Sequence, residues 1–220
     1  MQMSNVVRVA VIFACAGIAG CATSRSEIKL ASPVAVSPSS GVSTGRTAVI
    51  RLVKDERSFE QAPKDPSTPS LGFEGADQAA ADTKSRAIGR KRNGYGKALG
   101  DVLLEGGQTV ESVVRENLTA ALQQAGYQVK SLDADGSAAL VIDVHIKQFW
   151  AWFKPGFWAI TLNTNIATDL ELSGAASPTP ISVHAEDKRQ MATEGAWMEI
   201  VSKALVDYRA EVVKKATAFP

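Results

Sequence analysis

Thiol and imidazole chemistry rests on few side chains in this 220-residue sequence: two cysteines, Cys15 and Cys21, and two histidines, His145 and His184. Cys15 lies in the uncharged N-terminal run Val9–Ile18, so Cys21 is the one thiol of the chain that follows. A thiolate zinc site needs several cysteines at short spacing, and a nucleophile needs a base beside it. Composition therefore excludes the first and leaves little for the second. Alternation along residues 140–147 puts Asp143 and His145 on one face of a strand, and His184 shares a face with Glu186 on another. With the strand of residues 158–172 between them, the two pairs lie about 10 Å apart. Side chains of this length do not meet on one ion at that separation, so a solvated face with no metal and no cofactor is the expectation.

Two other clusters suit binding. Gly89-Arg-Lys-Arg-Asn-Gly-Tyr-Gly-Lys97 has the glycines and cations of a phosphate loop. Lys91 stands where the leading glycine belongs, however, and Ala98 replaces the hydroxyl that would hold magnesium, so a nucleotide is not expected. Arg90, Lys91 and Arg92 are candidates for contact with lipid A phosphates, peptidoglycan carboxylates or an acidic partner; a solvated loop is the alternative. Trp150, Trp152, Phe153, Phe157 and Trp158 crowd a second stretch, with Lys154 among them and the turn signal Pro155-Gly156. They either cap the end of the core or form an exposed patch suited to a membrane interface or a protein partner. Trp158 is expected to turn inward, because it begins an apolar alternation.

The elements that must position these groups follow from periodicity. Thr47–Val53 is β-branched and reads as a strand, whereas residues 58–107, with Pro63, Pro66 and Pro69, read as a long irregular insertion containing a short helix near 77–86. Thr109 is placed as the N-cap of a helix whose apolar residues run from Val110 to Ala125, with Gly126 at its end. Residues 127–129 begin a strand and Asp133–Gly136 form a turn. Residues 140–147, 158–172 and 181–186 alternate as a three-stranded meander, and a helix closes the chain over 194–215. The sum is an α+β fold: a mostly antiparallel sheet of four to five strands with two amphipathic helices packed on one face. The opposite face is expected to be open to solvent or to a partner.

At the N-terminus, Arg8 precedes an apolar run too short for the roughly 20 residues that span a bilayer, and small residues follow it. This is the pattern of a secretory signal peptide. Ile18-Ala19-Gly20-Cys21 resembles the lipobox of bacterial lipoproteins. The resemblance implies cleavage before Cys21, a diacylglyceryl group on its sulfur and a further acyl chain on its amine. An unpaired thiol is a liability in an oxidising compartment, and lipidation removes it. Ala22, where inner-membrane retention in enterobacteria uses Asp, favours the outer membrane, periplasm-facing. The division expected is a signal peptide over 1–20, a lipidated flexible tether over 21–44 and a single periplasmic domain over 45–220. Without residues 1–20 the formal charge falls from +1 to zero, since only Arg8 is lost, so no global attraction to nucleic acid is expected.

The element order, the lipobox and the phrase Leu118-Thr-Ala-Ala-Leu-Gln-Gln-Ala-Gly-Tyr-Gln-Val129 resemble the YajG-like family of bacterial lipoproteins. The insertion at 58–107 departs from that family's shorter connection. The resemblance implies place and architecture, with no established catalysis. A non-enzymatic accessory or binding component of the cell envelope is therefore expected. The alternatives are a chaperone or transport subunit holding a lipid-like ligand between helices and sheet, or a flagellum-associated assembly lipoprotein.

Overall fold

The computed structural model describes residues 25–34, 45–73, 75–93, 95, 97–131 and 140–220. Cys21, the signal peptide expected over 1–20 and the turn expected at Asp133–Gly136 lie outside the described residues. Eight strands form one sheet: β1 (Ser26–Ile28), β2 (Thr47–Asp55), β3 (Ala87–Arg92), β4 (Ala98–Leu104), β5 (Gln128–Lys130), β6 (Leu140–Lys154), β7 (Ile160–Leu172) and β8 (Thr179–Arg189). Four helices accompany them: α1 (Gly75–Gln78), α2 (Ala81–Arg86), α3 (Val110–Gln124) and α4 (Glu194–Ala216).

The fold is α+β, but the sheet is larger than expected and mixed. β6, β7 and β8 form the antiparallel meander, whereas β2 and β3 both run parallel to β6, β5 parallel to β2 and β1 parallel to β4. The chain passes through α3 between β2 and β6, and a crossover through a helix returns a strand in the same direction. β3 and β4 pair antiparallel inside the stretch expected to be irregular. β4 is buried along most of its length, so apart from Asp101 it reads as an apolar run with no alternation to reveal it.

β6 is the long shared strand. Its first half borders β2, from Leu140 to Ile146, and its second half borders β3, at Ala151. A bulge at Lys147 shifts the register against β7 between Ile146 and Gln148. Unbroken period-2 alternation from Ile142 would put Trp150 and Trp152 on the helix side. After the bulge, Phe149, Ala151 and Phe153 take those positions, and the two tryptophans turn to the opposite face.

Both long helices cover one face, joining Trp197, Val201, Leu205, Tyr208 and Val212 of α4 and Val114, Leu118 and Leu122 of α3 to the main core. Thr109 and Ser112 form a reciprocal cap on α3, and Gly126 follows it at φ +91°. Tyr208 donates to or accepts from Thr168 at 3.1 Å, and burial pushes its phenol up to about 12. On the outer sheet edge, Lys203 donates to the carbonyl of Glu186 at 2.8 Å, and Lys215 to that of Pro180.

The opposite face is not uniformly open. Beside β3, β4 and the second half of β6 it carries a second core of Leu71, Ala87, Leu103, Trp150 and Trp152, with Phe59 and Ala79 packed against it. Part of the supposed insertion thus supplies two strands and a cover.

Residues 25–34 belong to the folded body rather than to a flexible tether. β1 pairs with Val102–Leu104, Ile28 and Leu30 are buried, and the Gln108 side chain accepts from and donates to the Leu30 backbone at 3.0 and 2.8 Å. Ile28 and Leu30 supply apolar surface to the core while β1 satisfies the edge of β4.

Candidate functional site

Gly89 lies opposite Ala151 in parallel register, so β3 and β6 finish at the same end of the sheet. An added Cβ at Gly89 would stand 2.8 Å from the Ala151 carbonyl oxygen, which explains a glycine at this close approach. The turn after β3 is held by the Asn93 amide donating to the Lys97 carbonyl at 2.9 Å. The Asn93 side-chain oxygen accepts from the Tyr95 and Lys97 amides at 3.0 and 2.9 Å. This turn and the connection over 155–159 after β6 both project from that end.

Exposed aromatic rings gather there. Tyr95 is 99 % exposed, Phe157 90 % and Trp158 83 %, and the last two rings meet edge to face with centroids 4.8 Å apart. Phe73, at φ +58°, is also exposed beneath the Arg25 guanidinium, 4.8 Å from its ring centroid. Trp158 faces outward, contrary to expectation, because β7 begins only at Ile160 and Leu162, opposite Phe153, takes the first fully buried position. Lys154 ends β6 at this rim, exposed and opposite Thr161.

The other candidate side chains go elsewhere. Phe153 joins the helix-side core, and Trp150 and Trp152 lie in the second core. Trp150 donates through Nε1 to the Pro66 carbonyl at 3.1 Å and meets Phe59 edge to face. Arg90, Lys91 and Arg92 stand in β3, half-buried, rather than in a solvated loop. Arg90 donates to the Ser70 hydroxyl at 3.3 Å and the Leu99 carbonyl at 3.4 Å, and desolvation holds Arg90 and Arg92 below the usual guanidinium range. The structure thus brings Phe157 and Lys154 to one exposed rim and places the two tryptophans and Arg90 in packing roles.

Two polar groups that sequence reasoning passed over organise this half of the molecule. Asp101 is fully buried, accepting from the Gly72 amide at 2.7 Å and from Arg25 Nε at 3.2 Å. Arg57 is buried where β2 ends and β3 begins. It holds both Asp55 oxygens, at 2.8 and 2.7 Å, and donates to the carbonyls of Ala87, Phe149 and Lys84 at 2.6, 3.0 and 2.8 Å. A lone acid inside the apolar run Leu99–Leu104 was the available signal for Asp101. Arg57, in the charge run Lys54–Arg57, gave none.

The histidine pairs separate along the sheet as well as across it, since His145 lies opposite Asp169 and His184 opposite Asn165. His145 contacts Glu56 at 3.0 Å, Lys147 donates to the same carboxylate at 2.7 Å, and His184 contacts Asn165 at 2.6 Å. Hydrogen bonds from Lys147, His145 and Lys54 pull the Glu56 carboxyl down to about 2. Asp143 is held low mainly by its hydrogen bonds from Arg51. Among the described residues no three His, Cys, Asp or Glu side chains come together to hold a metal ion.

No family model matches the sequence, and no curated protein matches it. Among solved structures, one of an uncharacterized protein is similar at 12 % identity and a TM-score of 0.45, covering 88 % of this chain and 98 % of its own. The Xanthomonas campestris protein XCC0632, of family DUF330, is similar at 9 % identity and a TM-score of 0.42, covering 87 % of this chain and 91 % of its own. Likeness at this level carries no functional argument, and the YajG-like resemblance is not confirmed by it.

Proposed function

We propose that this chain is a membrane-anchored bacterial lipoprotein that acts as a non-enzymatic accessory or binding component of the cell envelope, held at the periplasmic side of the outer membrane through acyl chains on Cys21. The observation that carries the reading is Ile18-Ala19-Gly20-Cys21 directly after a short apolar run. A YajG-like type of lipoprotein is the family reading that fits the Leu118–Val129 phrase. A binding role is favoured over catalysis because the ionisable side chains of the sheet face are engaged with one another: Glu56 with Lys147 and His145, and Asp143 with Arg51.

A lipid-carrying role would call for an apolar space between helices and sheet. A groove of about 330 Å³ where α3 meets β2 and β5 is instead lined by the charged Arg51, Arg115 and Lys130 beside Ile50 and Val129. Another of about 630 Å³ is lined by Leu30, Gln108, Met198 and Ser202, and one of about 310 Å³ by Pro33, Arg115 and Ala120.

Intact-mass analysis of protein extracted from membranes tests the proposal. The expected species begins at Cys21 and carries the mass of a diacylglyceryl group and an N-acyl chain, and Cys21→Ser abolishes both cleavage and membrane retention. An unmodified Cys21 thiol on a chain recovered in the soluble fraction would overturn it.

A further inference from the structure

All four exposed aromatic side chains among the described residues, Phe73, Tyr95, Phe157 and Trp158, sit at the end of the sheet where β3 and β6 finish. Met191, just after β8, is also exposed there, since Arg189 pairs opposite Ile160. The connections described at the other end, residues 105–108 and 173–178, present no aromatic side chain. Tyr95 and Trp158 have the amphipathic rings of the belt by which proteins sit at headgroup level, and Phe73 and Phe157 add apolar rings to the same rim.

The anchor point is near the same rim. β1 runs parallel to β4 with Ser26 opposite Val102, and β4 runs away from the rim, so the N-terminal end of β1 is directed at it. Arg25 is fixed there by Asp101 and by its contact with Phe73. Cys21 is four residues before Arg25, and at 3.3–3.6 Å per residue it lies within about 14 Å of it. Acyl chains on Cys21 therefore hold this end of the domain at the bilayer, not the far end.

We propose that the rim formed by Phe73, Tyr95, Phe157 and Trp158 lies in the headgroup layer of the membrane that holds the Cys21 acyl chains. This rests on the lipoprotein reading above. The aromatic rings carry the contact. Lys97, Lys154 and Lys188 add positive charge at this level, but Asp65 and Asp187 lie near them, and Asp187 pairs with Arg189. The contact is accordingly expected to withstand salt that would release a purely basic patch.

Tryptophan fluorescence of the full chain, purified with its acyl chains and placed in vesicles of phosphatidylethanolamine and phosphatidylglycerol, tests the geometry. Trp150, Trp152 and Trp197 are buried, so Trp158 is the exposed reporter. Lipids brominated near the headgroup should quench a part of the emission that aqueous iodide does not reach. Trp158→Phe should remove that part, and Phe157→Ala with Tyr95→Ala should diminish it. Acylated protein whose Trp158 answers to iodide alone overturns the docking and leaves the lipoprotein reading standing. Trp158 shielded from both quenchers marks a second copy as the occupant and likewise overturns it. An intact mass showing Cys21 unmodified removes both.

Discussion

The two faces of the sheet are built by different means. On the helix side, side chains from β2, β6, β7, β8, α3 and α4 recur at regular spacing and form one continuous apolar core. On the other side, Ala87, Leu103, Trp150 and Trp152 are covered by largely irregular chain between Arg57 and Ala80, which contributes Phe59, Leu71 and Ala79, and polar groups keep that cover in place: Arg57 on three carbonyls, Asp101 on Gly72, and the Trp150 indole on Pro66. Apolar burial is non-directional, so it holds a periodic layer well but cannot specify the path of a loop. Hydrogen bonds to buried groups can, because leaving them unmade costs about 1–3 kcal/mol each.

If this contrast is right, equal truncations on the two faces should have unequal reach. Trp197→Ala and Trp150→Ala each remove a buried indole and should cost about 3–5 kcal/mol in denaturant unfolding. Trp197→Ala should loosen the whole domain, whereas Trp150→Ala should also make residues 58–80 open to protease and hydrogen exchange while α3 and α4 stay protected. Equal protection patterns in the two variants would break the comparison.

Asp101→Ala sharpens it at a smaller scale. The Gly72 amide loses its buried acceptor, and stability should fall by about 1–3 kcal/mol. Arg25 loses its partner in the same variant, so β1 should exchange its amides faster than β2. The smallest effect belongs to the uncovered part of the loop side. The Glu56 carboxyl is held at about 2 in the fold against an ordinary 4.5. Its contribution is therefore complete above about pH 4.5 and is lost as pH falls toward 2. Glu56→Gln should lower the denaturation midpoint slightly at neutral pH, where that contribution is complete, and the difference from the parent should vanish as pH falls toward 2.

This division also sets what could be read from residues alone. Val110–Leu122 with Thr109 as cap, the β6 to β8 meander and α4 follow from spacing, and all of them belong to the helix-side core. Two buried faces erase alternation in β4, three residues are too few to mark β1, and one extra residue at Lys147 reverses every side chain beyond it. That reversal is why Trp150 and Trp152, which could cap the core or form an exposed patch, lie in the second core and not on the helix side. For the candidate rim, Phe157 and Lys154 are legible in the aromatic stretch itself, but Tyr95 and Phe73 join them only through the pairing of β3 with β6 and the placement of Arg25.

The ammonium groups of Lys203 and Lys215, set over carbonyls of β8, have a consequence for how this molecule meets others. An unguarded outer strand invites a neighbouring polypeptide to extend the ladder, and many chains crowded on one surface would make such growth frequent. Positive charges seated on that margin interrupt the template, so neighbours are left to recognise one another through side-chain chemistry instead of backbone zippering.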